Sequence, residues 1–239
     1  LLCLLMLFFS ISLIYGDYTV NFEGTNETKT AYASGNVTLS GISWNMTDAL
    51  IGNLANDWKN GTRSARLRGY GTSSMTMLAN KTTGLGTLSF YYRRYGTDTQ
   101  VDWKAEYSVD NGTNWTQIGS AFTAPTSDNP SLFSEQVNVS GNIRIRIKRA
   151  TESGATDKRL NIDDITLTDY TPSVPVLVLD PTVLSGFTYE LGEGPSASQS
   201  YTLSGSNLSP LSGNITITGS SSFEVSSDNV TFSNSFSLP

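Results

Sequence analysis

The 239-residue chain has no histidine and a single cysteine, Cys3. Cys3 lies in an apolar N-terminal run, Leu1 to Ile14, that carries no charged residue. This run is shorter than the roughly 20 residues a membrane-spanning helix needs, and it ends in the small-residue region Tyr15-Gly16, as a secretory signal does. No basic residue precedes Leu1, so the sequence reads as beginning inside its leader. Removal of residues 1–16 leaves neither thiol nor imidazole. That excludes thiolate nucleophiles, disulfides and His or Cys metal ligands, along with the side chain most often used for proton transfer near neutral pH. The chain reads as non-enzymatic in itself, secreted or displayed at a cell surface.

Positive charge is also scarce, with 15 Lys and Arg against 21 Asp and Glu, a formal charge of −6. Such a protein has no global attraction for nucleic acid or anionic membrane, and no specific nucleic-acid partner is expected. No transmembrane segment remains once the signal is gone. Export without disulfides implies domains held by their own cores. Helix signals are nearly absent. Only Asp48 to Trp58, with Leu50, Ile51, Leu54 and Trp58 near helical spacing, has the pattern of a helical turn, and Gly52 interrupts it.

Short alternating apolar runs are present throughout, separated by Gly, Asn, Asp and Ser clusters, which is the pattern of antiparallel β-sandwiches. The clearest predicted strands are Tyr18 to Phe22, Arg63 to Arg68, Ser74 to Leu78, Thr87 to Arg93, Val101 to Val109, Phe133 to Val139, Ile143 to Lys148 and Ile162 to Leu167. A two-proline linker at 171–175 separates residues 17–170 from residues 176–239, where further strands are predicted at Val176 to Leu179, Gln199 to Ser204, Asn214 to Thr218 and Phe223 to Ser226. Asn-x-Ser/Thr triplets recur from Asn26 to Asn229. In a eukaryotic secretory pathway they are glycan acceptors, and a chain rich in Asn, Ser and Thr also generates them by composition.

Ser108-Val109-Asp110-Asn111-Gly112-Thr113-Asn114-Trp115 fits the S-x-D-x-G-x-x-W pattern of an Asp-box, with a degenerate echo from Ser226 to Phe232; both read as structural turns. In Leu160 to Leu167 the apolar phase slips at Asp163-Asp164, as at a β-bulge that can aim carboxylates at a common point. Trp103, Tyr107, Phe90 and Tyr92 share the phase of their apolar neighbours and are predicted to be core. The opposite phase offers Tyr91, Arg93, Arg144, Arg146 and Lys148. If their strands are neighbours, Tyr91, Arg93, Arg144 and Arg146 make an aromatic and basic face suited to a glycan or other anionic polymer, although the same charges can serve as cross-strand partners of Asp102, Glu106 or Asp157.

Tyr18-Thr19-Val20-Asn21-Phe22-Glu23-Gly24 together with Asn161-Ile162-Asp163-Asp164-Ile165 resembles jelly-roll domains of the carbohydrate-binding and MAM-like kind. The resemblance implies a structural calcium ion held by a first-strand acid, here Glu23, and a last-strand Asp, here Asp163 with Asp164 the alternative. The same acids also read as turn residues or partners of Lys and Arg. With Gly41-Ile42-Ser43-Trp44, Asn60 to Arg68, Leu88 to Tyr92 and the Asp-box, the whole stretch is similar to the N-terminal module of bacterial secreted multidomain surface proteins. Those proteins carry an immunoglobulin-like domain similar to Leu184 through Phe232, and some end in nuclease, lamin-tail or sorting domains. The expected architecture is all-β, a jelly-roll-like sandwich over 17–170 followed by a truncated immunoglobulin-like sandwich over 176–239. The expected function is an adhesion or carbohydrate-binding accessory module with a glycan or cell-surface polymer as partner; the alternatives are the ancillary region of a secreted enzyme and a spacer without ligand.

Overall fold

The computed structural model describes residues 16–208 and 213–238, so the leader read at 1–16 lies almost wholly outside the described residues. Every regular element among them is β, and no helix long and apolar enough to cross a membrane occurs among them. The chain divides into two units, Leu1–Thr171 and Pro172–Pro239, with the junction inside the proline-bearing stretch.

The first unit is an antiparallel β-sandwich of jelly-roll type. Its first sheet contains β1 (Tyr18–Val20), β4 (Ala49–Gly52), β5 (Ser64–Leu67), β7 (Leu85–Arg94), β10 (Ser131–Val139) and β12 (Leu160–Leu167), in the order β10-β7-β12-β5-β4 with β1 also on β12. The second contains β2 (Gly35–Leu39), β3 (Ile42–Thr47), β6 (Ser74–Met77), β8 (Trp103–Ser108), β9 (Thr116–Phe122) and β11 (Arg144–Arg149), in the order β2-β3-β6-β11-β8-β9. The two-residue alternation of each strand delivers its apolar set to the space between the sheets. From the second sheet come Trp44, Met46, Met75, Met77, Trp103, Ile145 and Ile147; from the first come Leu88, Phe90, Ile162, Ile165 and Leu167, all buried. Each such side chain contributes roughly 1.5–3 kcal/mol through burial. Tyr92 and Tyr107 pack against this cluster from its margin.

Two local devices fix the register. Ser40 and Gly41 both have positive φ, 44° and 86°, which closes β2 onto β3 as a tight two-residue hairpin. In β12 the pairing with β7 shifts between Asp163 and Thr166, and Asp164 sits at φ 50°. That slip lets Ile162 and Ile165, three positions apart, both reach the core.

The predicted helical turn over Asp48 to Trp58 is not formed. Leu50 and Ile51 belong to β4, paired with Arg66 and Ala65 of β5, and the chain then leaves the sheet as a loop. The spacing of Leu50, Ile51, Leu54 and Trp58 comes from a strand followed by that loop.

The second unit pairs β13 (Val176–Asp180) with β16 (Thr202–Ser206), β14 (Tyr189–Glu190) with β15 (Gly194–Pro195), and β17 (Ile215–Thr218) with β18 (Ser235–Leu238). The strand predicted at Phe223 to Ser226 is reduced to a single bridge, Val225 to Ser233. None of the unit's described residues is buried.

Candidate functional site

The second sheet turns a polar face outward because its apolar alternates are used in the core. One row runs across all six strands by register: Asn36, Asn45, Thr76, Arg146, Glu106 and Gln117. The next contains Thr47, Ser74, Lys148 and Lys104. Four cations, Lys104, Arg144, Arg146 and Lys148, meet Glu106 and Glu152 here, and Asp48 and Asp110 stand at the border of the face. Glu106 accepts from Arg146 and, at 2.8 Å, from Lys104, while Glu152 accepts from Lys148 at 2.5 Å. Burial favours a neutral Glu106, but the two cations outweigh it and hold the carboxyl below its ordinary range. Asn45 donates to Asn36 at 2.9 Å, and Arg144 Nε donates to Asn80 at 2.7 Å. An open cleft of about 310 Å³ lies over this face, lined by Gly71, Thr72, Ser74, Thr76, Arg146, Lys148 and Glu152.

The Asp-box borders the face. Ser108 Oγ donates to Asp110, whose Oδ1 accepts the backbone N–H groups of Thr113 and Asn114. Those donors hold the Asp110 carboxyl at about 2. Gly112 adopts φ 89°, and Trp115 Nε1 donates to its carbonyl at 2.9 Å. Trp115 is thereby fixed where the Arg146 guanidinium lies 4.3 Å over its ring.

Tyr91 and Arg93 do not belong to this face. They lie on β7 of the first sheet, whereas Arg144 and Arg146 lie on β11 of the second, so the single aromatic and basic surface expected of the four does not form. Strand phase separates inside from outside but does not say which sheet a strand joins.

The outer face of the first sheet is partly roofed by the loop after β4. Asp57 accepts two bonds from Arg66, at 2.6 and 2.5 Å, and one from Asn161 Nδ2 at 2.8 Å; Asn161 is completely buried. Burial opposes the Asp57 charge, yet Arg66 and Asn161 hold it below the usual carboxylate range. The backbone N–H of Trp58 donates to Asn161 Oδ1 at 3.1 Å and Ser64 Oγ donates to the Trp58 carbonyl, so the loop is pinned on both sides of the indole. Trp58 meets Tyr91 with ring centroids 6.3 Å apart at 54°. Tyr91 is 40% exposed, and its cross-strand neighbour Leu132 is 54% exposed. Arg93 pairs with exposed Asp128 at 2.5 Å and keeps its Nε without a partner.

The predicted carboxylates gather around the 60–63 loop. Glu23 accepts from the N–H groups of Thr62 and Arg63 at 2.8 and 3.0 Å. Asp163 accepts from the N–H of Asn60 at 2.8 Å, and Asp164 from Asn60 Nδ2 at 2.7 Å. Asp163 is wholly buried and has no Lys or Arg partner among the described residues. Burial pushes its carboxyl up to about 7, with Asp164 and Glu23 adding repulsion against the backbone donors. Their hard oxygens have the chemistry calcium takes, but they are not a preassembled cage: no group of three acidic side chains among the described residues is placed to hold a metal ion. The loop N–H groups occupy the facing oxygens.

No family model matches the chain and no curated protein matches it significantly. Among solved structures, it is similar to the CBM22-1 xylan-binding domain from Paenibacillus barcinonensis Xyn10C, with 10% identity over 65% of this chain and 95% of that one at a TM-score of 0.44. It is also similar to the K1 cleaved adhesin domain of Lys-gingipain from Porphyromonas gingivalis W83, with 9% identity over 64% and 98% at 0.45. A family 29 carbohydrate-binding module from Piromyces equi aligns with 14% identity over 66% and 92% at 0.40.

Proposed function

We propose that the first unit is a non-catalytic glycan-binding module and that its ligand lies across the outer face of the second sheet. The observation that carries this reading is the six-strand row of hydroxyl, amide and charged side chains from Asn36 to Gln117, flanked by Trp115 and opened by the cleft. A polysaccharide presents repeated hydroxyls along an extended chain, and a flat array of donors and acceptors matches it over several sugar units. Arg146 and Lys148 in the cleft wall can pair with the uronate or sulfate groups of an acidic glycan. Retention on polygalacturonate and on sulfated polysaccharide gels tests this. Arg146→Ala is expected to weaken retention about tenfold and to soften its salt dependence. No retention of the intact chain by any acidic glycan at low salt would replace the reading with that of a spacer.

In this proposal the module is exported and positions a larger protein on a glycan-rich surface, with residues 176–239 contributing an immunoglobulin-like segment. A structural calcium ion at Glu23, Asp163 and Asp164 is favoured by the burial of Asp163 beside two carboxylates without a cationic partner. Binding would require Glu23 and Asp163 to turn from the loop N–H groups. Saturating calcium would then raise the melting temperature, and Asp163→Ala would abolish the rise. Identical melts in calcium and in chelator would remove the ion.

A further inference from the structure

We infer that the first sheet carries a second glycan site, built from Trp58, Tyr91, Leu132 and Arg93 and selective for uncharged sugars, back to back with the acidic-glycan face. Trp58 and Tyr91 meet at 54°, so they form two walls of a wedge rather than one flat platform. Leu132, opposite Tyr91 in register, extends the Tyr91 wall. The apolar C–H face of a pyranose fits against one wall while its edge contacts the other.

The polar groups around the wedge specify what kind of sugar enters. Arg93 is paired with Asp128 and Asp163 lies opposite Tyr91 in register, so the site offers an acidic glycan no free cation. Beyond Tyr91 the same face continues by register as Ser134, Ser89 and Thr166, then Gln136 and Thr87, a track of short neutral hydrogen-bonding groups. An aromatic wedge with a neutral polar track suits a hydroxyl-rich chain better than an apolar protein partner, which would leave those hydroxyls unmatched.

The site is rigid before any ligand arrives. Trp58 is fixed through its backbone to Asn161 and Ser64, and that loop is anchored by the buried pair of Asp57 and Arg66. Little ordering entropy then opposes binding. The two faces belong to opposite sheets of one sandwich, so one module can hold two polysaccharide chains at once.

The inference rests on the glycan-binding reading, and the test separates their failures. The intact chain is run in affinity gels containing β-glucan, mannan, galactan or polygalacturonate. Tyr91→Ala is expected to lower retention on the neutral polysaccharides about tenfold, leave polygalacturonate retention unchanged, and be rescued by Tyr91→Phe. Neutral retention should persist in high salt, and Arg146→Ala should spare it. The second site is overturned if no neutral gel retains the wild type, if Tyr91→Ala leaves neutral retention intact, or if Arg146→Ala abolishes both kinds of retention. Loss of polygalacturonate binding alone would overturn only the acidic-glycan face.

Discussion

The turns at Ser108–Trp115 and Ser226–Phe232 share one hydrogen-bonding device. In each, a Ser Oγ donates to the Asp two residues on, and that Asp accepts from backbone N–H groups beyond it. In each, an Asn at φ near 60°, Asn111 or Asn229, follows the Asp, and the carboxyl is held at about 2. Yet the first turn belongs to a unit with a buried cluster from both sheets, and the second to a unit in which no described residue is buried. Hydrogen bonds within one short turn set local geometry without any help from a core. What they do not supply is the cooperative stability that burial of large side chains adds.

Core truncation tests that contrast hardest. Trp44→Ala, at a completely buried position, should destabilise the first unit by roughly 3–5 kcal/mol in urea unfolding. Phe223→Ala removes a half-exposed ring packed edge-on against Phe187 and should change stability by less than about 1 kcal/mol. Comparable losses at the two positions would break the comparison.

Next in size is Asp57→Ala, which leaves Arg66 buried without its partner and should cost about 3 kcal/mol by the same measurement. Arg66→Met in the same background should recover part of that loss.

A third effect is pH dependence confined to the first unit. The unfolded chain releases the Asp163 proton near its ordinary value of 3.8, whereas the folded chain keeps it up to about 7. This group's contribution is therefore complete below about 4 and is lost as pH rises through about 7, on the order of a few kcal/mol in chelator. Asp57 and Asp110 are depressed and act oppositely, losing stability as pH falls through their folded values. Asp163→Asn should flatten the decline between pH 4 and 7 and leave the acid limb in place; an unchanged decline would sink the assignment. The smallest effect is expected from Asp110→Ala, a few degrees in melting temperature followed by circular dichroism.

Much of the sandwich is legible in the sequence, because a strand with one face in a core must alternate. Trp103 and Phe90 are buried as their phase predicts, and the slip at Asp163-Asp164 is visible as two apolar sets out of step. The hairpin of β2 and β3 alternates in the same way, with Val37, Leu39, Trp44 and Met46 inward and Asn, Ser and Thr outward, yet it is absent from the clearest predicted strands. The site is less legible. Tyr91 and Arg144 are both outward, but only long-range pairing assigns them to opposite sheets. Trp58 gives no strand signal, since a loop held by Asp57 and Asn161 positions it.

The knot of Asp57, Arg66 and Asn161 has a consequence for how the protein is made. Trp58 and Asp57 reach Asn161 across sequence separations of 103 and 104 residues, and β1 likewise waits for β12. Loop closures of that length are late events, so residues emerging from a ribosome cannot complete the first sheet until the chain has grown past Leu167. The first sheet therefore closes as one event at the end of the unit's synthesis, and a chain cut short of Leu167 lacks the strand on which β1, β5 and β7 all pair.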